Sequence, residues 1–186
     1  MLELRQQHRL RLILETERLI GEPVGERHRE KAVALFGDPQ VATWIWPPER
    51  DDSGPRTPEQ AEALVERFLG HWIEHGYGMW YFAERHSGDF VGQIGLQHTD
   101  VEGEPVVEIG WTLLPAHWGR GYATEAGRAA LDLAFFRLAL DEIVSFTLPH
   151  NRASRRVMEK LGMTYVRDFV HADLPHVLYR LERPGR

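Results

Sequence analysis

A mixed α/β domain, with a twisted and mostly antiparallel sheet flanked by helices, is the fold predicted for this 186-residue chain. Three observations predict it. Three strand-like runs, MWYFAER (79–85), DFVGQIGLQ (89–97) and PVVEIGWTLL (105–114), follow one another with only HSGD and TDVEGE between them. That spacing predicts a meander of antiparallel hairpins. Helical patterns precede and follow the meander, and two further strand-like runs, TYVRDFVH and HVLYRLER, close the chain.

The elements can be taken in order. Residues 1–13 form a basic leader that reads as loose, and 14–186 read as one domain. LETERLIGEPV (14–24) reads as a first strand, stopped by Pro23. HREKAVALFGDPQVATWIW (28–46) is helical in pattern and broken near Gly37 and Pro39. PPERDDSGPRTP (47–58) is the clearest loop. Thr57 then caps a long helix, with Pro58 at its first position and Gln60 completing a capping box, and Gly76 ends it. After the meander a helix reaches to about Leu140, with Ala126, Ala130, Leu133 and Ala134 on one face. EIVSFTL (142–148) is a strand. NRASRRVMEKLG (151–162) is a helix with Ala153, Val157 and Leu161 in line.

Composition narrows the function classes. Formal net charge is -6, which argues against nucleic acid as the main partner, although a local basic pocket remains compatible with it. The absence of cysteine removes disulfides, thiolate metal sites and a catalytic thiol together. No apolar run approaches the ~20 residues needed to span a membrane. The charged N-terminus does not read as a signal peptide, so a cytoplasmic location is expected.

The stretch HWGRGYATEAG (117–127) places Gly119 and Gly121 between a strand and a helix. Such a turn suits a phosphate, because glycine lets the backbone approach a ligand and the helix N-terminus favours anions. A P-loop needs a Gly-Lys-Ser/Thr that is missing here, and a dinucleotide turn needs glycine where Thr124 stands. A tight connection without ligand is the bland alternative.

From Trp118 the sequence W-G-R-G-Y-A resembles the Q/R-x-x-G-x-G/A signature of the Gcn5-related N-acetyltransferase (GNAT) superfamily. EIGWTLLPAHWGRGYATEA, LETERL (14–19) and HNRASRRVMEKLGM (150–163) are similar to its RimJ/RimL branch, the ribosomal-protein-alanine N-acetyltransferase-like enzymes. The resemblance implies a sheet splayed between the fourth and fifth of the predicted strands, 105–114 and 142–148. It implies acetyl-coenzyme A as donor and co-substrate, and direct transfer to a primary amine of a protein N-terminus or small molecule. Cofactor contacts then fall on Trp111, Thr112, Leu113, Gly119, Arg120, Gly121, Tyr122, Ala123, Thr124, Asn151 and Ser154. Asn151 also suits a helix N-cap, and the two roles are compatible. Many members use a tyrosine seven residues after the asparagine to protonate the leaving thiolate. Here that position is Met158, and the N-x-x-S pattern offers Ser154 instead. Two other readings accompany this one: a sensor that binds acyl-coenzyme A without transfer, and an acetyltransferase for aminoglycosides or polyamines.

Strand alternation puts Glu108, Gly110, Thr112 and Leu114 on one face, so Glu108 is the candidate base, against a cross-strand ion pair as the alternative. His98 and His150 are further base candidates. HWIEH (71–75) matches an inverted zinc-protease pattern, but no third ligand is evident in the sequence and no metal is expected. Trp44 and Trp46 suit either an aromatic substrate wall or core packing around a proline-stiffened turn. The chain is expected to act as a monomer or homodimer, with no membrane partner.

Overall fold

The computed structural model describes residues 12–185. Most of the leader, residues 1–11, lies outside the described residues. Leu12 is fixed to the domain, since its carbonyl accepts a 2.7 Å hydrogen bond from Trp80 Nε1.

The predicted first strand is two strands, β1 (Leu14–Glu15) and β2 (Leu19–Pro23), paired as a hairpin. Thr16 causes the break. Its N–H donates to the Leu19 carbonyl and its hydroxyl accepts from the Leu19 N–H, each at 3.0 Å, so the turn closes on itself. Helices α1 (Arg29–Phe36) and α2 (Pro39–Ile45) part where predicted, because the Asp38 carboxylate caps the Gln40 and Val41 amides. Helix α3 (Pro58–His75) has the predicted Thr57–Gln60 capping box and ends at Gly76, which is left-handed at φ 76°.

The meander comprises β3 (Met79–Glu84), β4 (Phe90–Val101) and β5 (Glu104–Leu113). Strand β4 runs four residues past the predicted Gln97. The chain reverses at Glu102–Gly103, both at positive φ, and Val101 is buried. Helix α4 (Tyr122–Asp132) is shorter than expected and continues as a wide turn over Leu133–Arg137, closed by Leu138 N–H to the Leu133 carbonyl. The widened turn buries Leu133, Ala134 and Phe135 together. Then come β6 (Glu142–Thr147), α5 (Arg152–Lys160), β7 (Thr164–His171) and β8 (Leu174–Glu182). In α5 the predicted line holds at Val157, which packs on the core, and at Leu161, which is buried; Ala153 is instead exposed, and Met158 is the other buried residue.

The eight strands lie in the order β1-β2-β3-β4-β5-β6-β8-β7. Every neighbouring pair is antiparallel except β5–β6, which is parallel and matched only at Glu108↔Val144. One sheet face packs Trp80, Phe82, Ile94 and Ile109 against Ala126 and Ala130 of α4. The other face packs Met79 and Tyr81 against Phe36 and Phe68 of α1 and α3. Burial of these aromatic and branched side chains supplies the main favourable term, at about 25 cal/mol per Å² of apolar surface.

Gly92 sits at φ 146° opposite Leu113, beside an irregularity in the β3–β4 register. A Cβ there would fall on the Thr112 carbonyl oxygen and 2.7 Å from Leu113 Cα. Gly92→Ala therefore combines backbone strain with a clash against β5, and a loss of about 1–3 kcal/mol is expected in urea unfolding. An unchanged midpoint would show that the end of β5 is free to give way.

Candidate active site

The sheet opens where β5 and β6 part. Beyond Glu108↔Val144 the two strands share no register, so residues 110–113 pair with β4 on one edge and face a gap on the β6 edge. A cavity of ≈ 780 Å³ fills this gap. Gly110 to Leu113 form one side and Ser145 to Leu148 the other. Helix α3, Trp44 and Trp46 wall one end, and the Trp118–Gly119 turn with Ala123 and the start of α5 borders the rest.

The glycine turn is built as its sequence requires. Gly119 and Gly121 have φ of 73° and 83°, conformations that a β-carbon disfavours. The first helical hydrogen bond of α4 runs from Glu125 N–H to the Gly121 carbonyl, so the amides of residues 122–124 have no partner inside the helix. They lie at the positive end of its dipole. Two long-range contacts hold the turn. Trp118 Nε1 donates to the Leu113 carbonyl at 2.7 Å, which ties the turn to the end of β5. Arg18 donates to the Arg120 carbonyl at 3.1 Å and pairs with Glu125 at 2.6 Å, while the Thr16 hydroxyl donates to the same carboxylate at 2.6 Å. The LETERL motif thus clamps the turn from β2.

Not every residue of the turn faces the cavity. The Arg120 side chain pairs with Glu84 at 2.8 Å, and the Tyr122 hydroxyl donates to the same carboxylate at 2.7 Å. Tyr122 is buried in the core, so its backbone amide is the group available to a ligand. Thr124 is buried beside a smaller cleft lined by Arg18, Glu125, Arg128 and Lys160. Ala123, Trp111, Thr112 and Leu113 line the main cavity.

At the start of α5, Asn151 is the N-cap: its Oδ1 accepts the Ser154 amide at 3.1 Å. Both residues line the cavity. Met158, at the position where the sequence resemblance led to the expectation of a tyrosine, is 0% exposed within the core and does not line this cavity.

Glu108 is buried at the narrow point where β5 and β6 meet, and its carboxylate accepts a 2.8 Å bond from Gln97 Nε2. Burial pushes its pKa up to about 7, against smaller opposing effects from Gln97 and the charge of Arg67. Its partner is the Gln97 amide, and among the described residues no ion pair crosses to it from a neighbouring strand. Gln93, on the same face, is buried with its Oε1 unpaired among the described residues, and it lines the cavity. Neither Gln93 nor Arg67 stands out in the sequence, since a polar residue in a strand or a charge on a helix is commonplace.

Trp44 is 39% exposed on the cavity wall, 5.8 Å between ring centroids from His150. Trp46 combines both expected roles: it lines the cavity, packs edge-on to Phe36 and carries the Arg56 guanidinium 3.8 Å over its ring. His98 lies with His71 and His75, each offering a nitrogen within 4.8 Å of the others, and so is the third histidine that the sequence did not reveal. Both nitrogens of His71 are engaged, Nδ1 with the Tyr77 carbonyl and Nε2 accepting the His98 amide, each at 2.9 Å. His98 Nε2 lies 2.6 Å from the Tyr77 hydroxyl. No helix of the described residues is long and apolar enough to cross a membrane.

Comparison with known proteins identifies the family. Residues 18–164 match the family model described as an acetyltransferase (GNAT) domain. The chain is 33% identical over 145 residues to the uncharacterized protein YkkB of Bacillus subtilis, covering 78% of this chain and 80% of that one. It is 34% identical over 165 residues to the FsC-acetyl coenzyme A-N(2)-transacetylase of Aspergillus fumigatus, covering 84% of this chain and 66% of that protein's length. The crystal structure of an acetyltransferase from Agrobacterium tumefaciens superposes with a TM-score of 0.76 at 30% identity, covering 91% of this chain and 94% of that one.

The raised pKa of Glu108 carries a stability signature. The folded chain retains the proton that an unfolded carboxyl releases near 4.5, so stability falls as pH rises from there to about 7. Glu108→Gln should remove that slope, and its stability relative to the parent should improve by up to about 3 kcal/mol between pH 4.5 and pH 8. Urea unfolding of both proteins at the two pH values checks this, and parallel profiles would exclude a proton held at Glu108.

Proposed function

The chain belongs to the GNAT acetyltransferase family and is an N-acetyltransferase, and from that premise we propose that it moves an acetyl group from acetyl-coenzyme A directly to a primary amine in a ternary complex. One observation carries the reading: a buried carboxylate with a pKa raised to about 7 lines the same cavity as Gly119, Ala123 and the Asn151–Ser154 cap, while Gly121 and Thr124 line the smaller cleft on the other side of the turn. That proximity of a proton acceptor to one end of the turn supports the reading.

The residues divide the work by chemistry. The amides of residues 119–124, at the positive end of α4, suit the pyrophosphate of coenzyme A. The β6-side edge of Trp111, Thr112 and Leu113 suits its pantetheine arm, as an added strand would pair, apart from the Leu113 carbonyl that Trp118 occupies. Bound there, the donor supplies an activated acetyl thioester. An attacking amine, with an ordinary pKa of ~8–10, must lose a proton to react, and Glu108 is the group placed to take it. Gln97 holds the Glu108 carboxylate in position. A β5 amide can donate to the developing oxyanion, and the Ser154 hydroxyl can donate to the departing sulfur. Cysteine is missing from the chain, which leaves no thiol for a covalent acyl-enzyme route.

The RimJ/RimL-like motifs in LETERL, EIGWTLLPAHWGRGYATEA and HNRASRRVMEKLGM support placement in that branch. The acceptor then contacts Trp44 and Trp46, and the acetyl group lands on an N-terminal or small-molecule amine.

Parent kcat/KM should rise with pH through about 7, as Glu108 deprotonates, before any limb set by the amine itself. Glu108→Gln should lower it by roughly 10²–10⁴-fold and lose that limb. Thiol-release kinetics from pH 5.5 to 9 give the answer; an unaltered profile would remove Glu108 as base. Gly121→Val should weaken coenzyme A binding at least tenfold, read by calorimetry, because a β-branched residue resists φ near 83°. Parent-like affinity would take the turn out of the donor site.

A further inference from the structure

Helix α3 presents Leu64, Arg67, Phe68 and His71 to the cavity, the spacing of one helical face. Arg67 is the exceptional member. It has neither a carboxylate partner nor a hydrogen bond among the described residues, and its nearest ring is Phe68 at 5.1 Å. The residue is exposed and borders the open cavity, where the neighbouring walls lower its pKa from the ordinary arginine value. Arg50, the other arginine on the cavity wall, is already paired with Asp52 at 2.6 Å.

The remaining titratable groups on the walls leave Arg67 and Glu108 as a matched pair of opposites. Burial lowers the pKa of His71, His98, His171 and His176 alike, which favours their neutral forms. Arg67 and Glu108 act on each other through space but share no ion pair. One uncommitted guanidinium and one buried carboxyl therefore line the same ≈ 780 Å³ cavity. A polyamine or aminoglycoside would bring further positive charge against Arg67. A molecule with an amine at one end and an anion at the other meets complementary charge at both. The planar guanidinium fork fits a carboxylate with two parallel hydrogen bonds.

We propose that the acceptor is a small amino acid-like molecule, whose amine is acetylated at Glu108 and whose carboxylate is received by Arg67. This assignment rests on the cavity being the acetyl-transfer site, and Arg67 acts in it as a specificity-determining residue.

The test measures binding and turnover separately. The protein, saturated with coenzyme A, is titrated by calorimetry with the common amino acids, β-alanine and γ-aminobutyrate. Each is compared with its own primary amide, and putrescine and kanamycin serve as cationic controls. The best acid should bind roughly ten- to hundredfold tighter than its amide, the range of charge-assisted hydrogen bonds. Arg67→Gln should erase that ratio and Arg67→Lys should keep part of it, with thermal unfolding unchanged in both because Arg67 makes no ion pair. Amides or polycations binding as well as the acids, no acid binding at all, or an acid-to-amide ratio that survives in Arg67→Gln would each overturn the assignment. Thiol release from acetyl-coenzyme A with the same panel separates the two levels. Arg67-dependent binding of an acid without release removes the transfer reading and keeps the carboxylate anchor. Release that is equal for acids and amides keeps transfer and removes the anchor.

Discussion

Beyond Glu108↔Val144, strands β5 and β6 cease to share hydrogen bonds, and the remaining features of the site follow from that parting. A sheet that stayed paired would satisfy the backbone of residues 110–113 internally and leave no space between its layers. The parting exposes main-chain groups to a cavity, which a peptide-like ligand can pair with as an added strand would. It also places the last matched residue, Glu108, at the bottom of a crevice where water is scarce. The raised pKa of this carboxyl is thus a product of topology, since the same residue on an intact sheet face would have had solvent or a cation for company.

Two acidic residues illustrate how differently the fold treats charge. Glu84 gathers the Tyr122 hydroxyl and the Arg120 guanidinium, and its pKa is lowered chiefly by the Tyr122 hydrogen bond. Glu108 has only an amide for company and stays near the point of losing its proton. The first arrangement stiffens the turn from outside; the second leaves a group able to exchange a proton at neutral pH. That Arg120 belongs to the first arrangement explains why the only arginine between the two glycines is directed away from the cavity.

Much of this was legible in the sequence where chemistry is local. The Thr57–Gln60 box, Gly76, the paired glycines and the Asn151 cap each depend on residues within a few positions of one another. Strand alternation also located the Glu108 face, because a period of two survives any tertiary arrangement. The errors arose where distant contacts decide. Ala153 fits an amphipathic line on paper, yet in the fold it is exposed while Met158 joins Leu161 in the core. Arg67 reads as an ordinary solvated helix residue, and only the position of β5 across the cavity gives it a setting. His98 lies 23 residues beyond His75, so the histidine group forms through the β4–α3 approach and not through a motif. Thr16 and Arg18 were visible as part of a familiar string, but their reason for being there is Glu125, more than a hundred residues on.

That clamp has a consequence for how the molecule is made. On the ribosome the hairpin bearing Thr16 and Arg18 emerges first, and its partner carboxylate emerges only after the whole meander has been synthesised. The glycine turn cannot take its final shape before then, and the Asn151 cap follows later still. Contacts of such sequence separation close slowly, because the loop entropy precedes the reward. The glycine-turn end of the cavity therefore matures only after the meander, and the opposite wall, where β7 and β8 bring His171 and His176, later still, so a nascent chain stalled short of Glu125 would carry a nearly complete meander beside an unclamped turn.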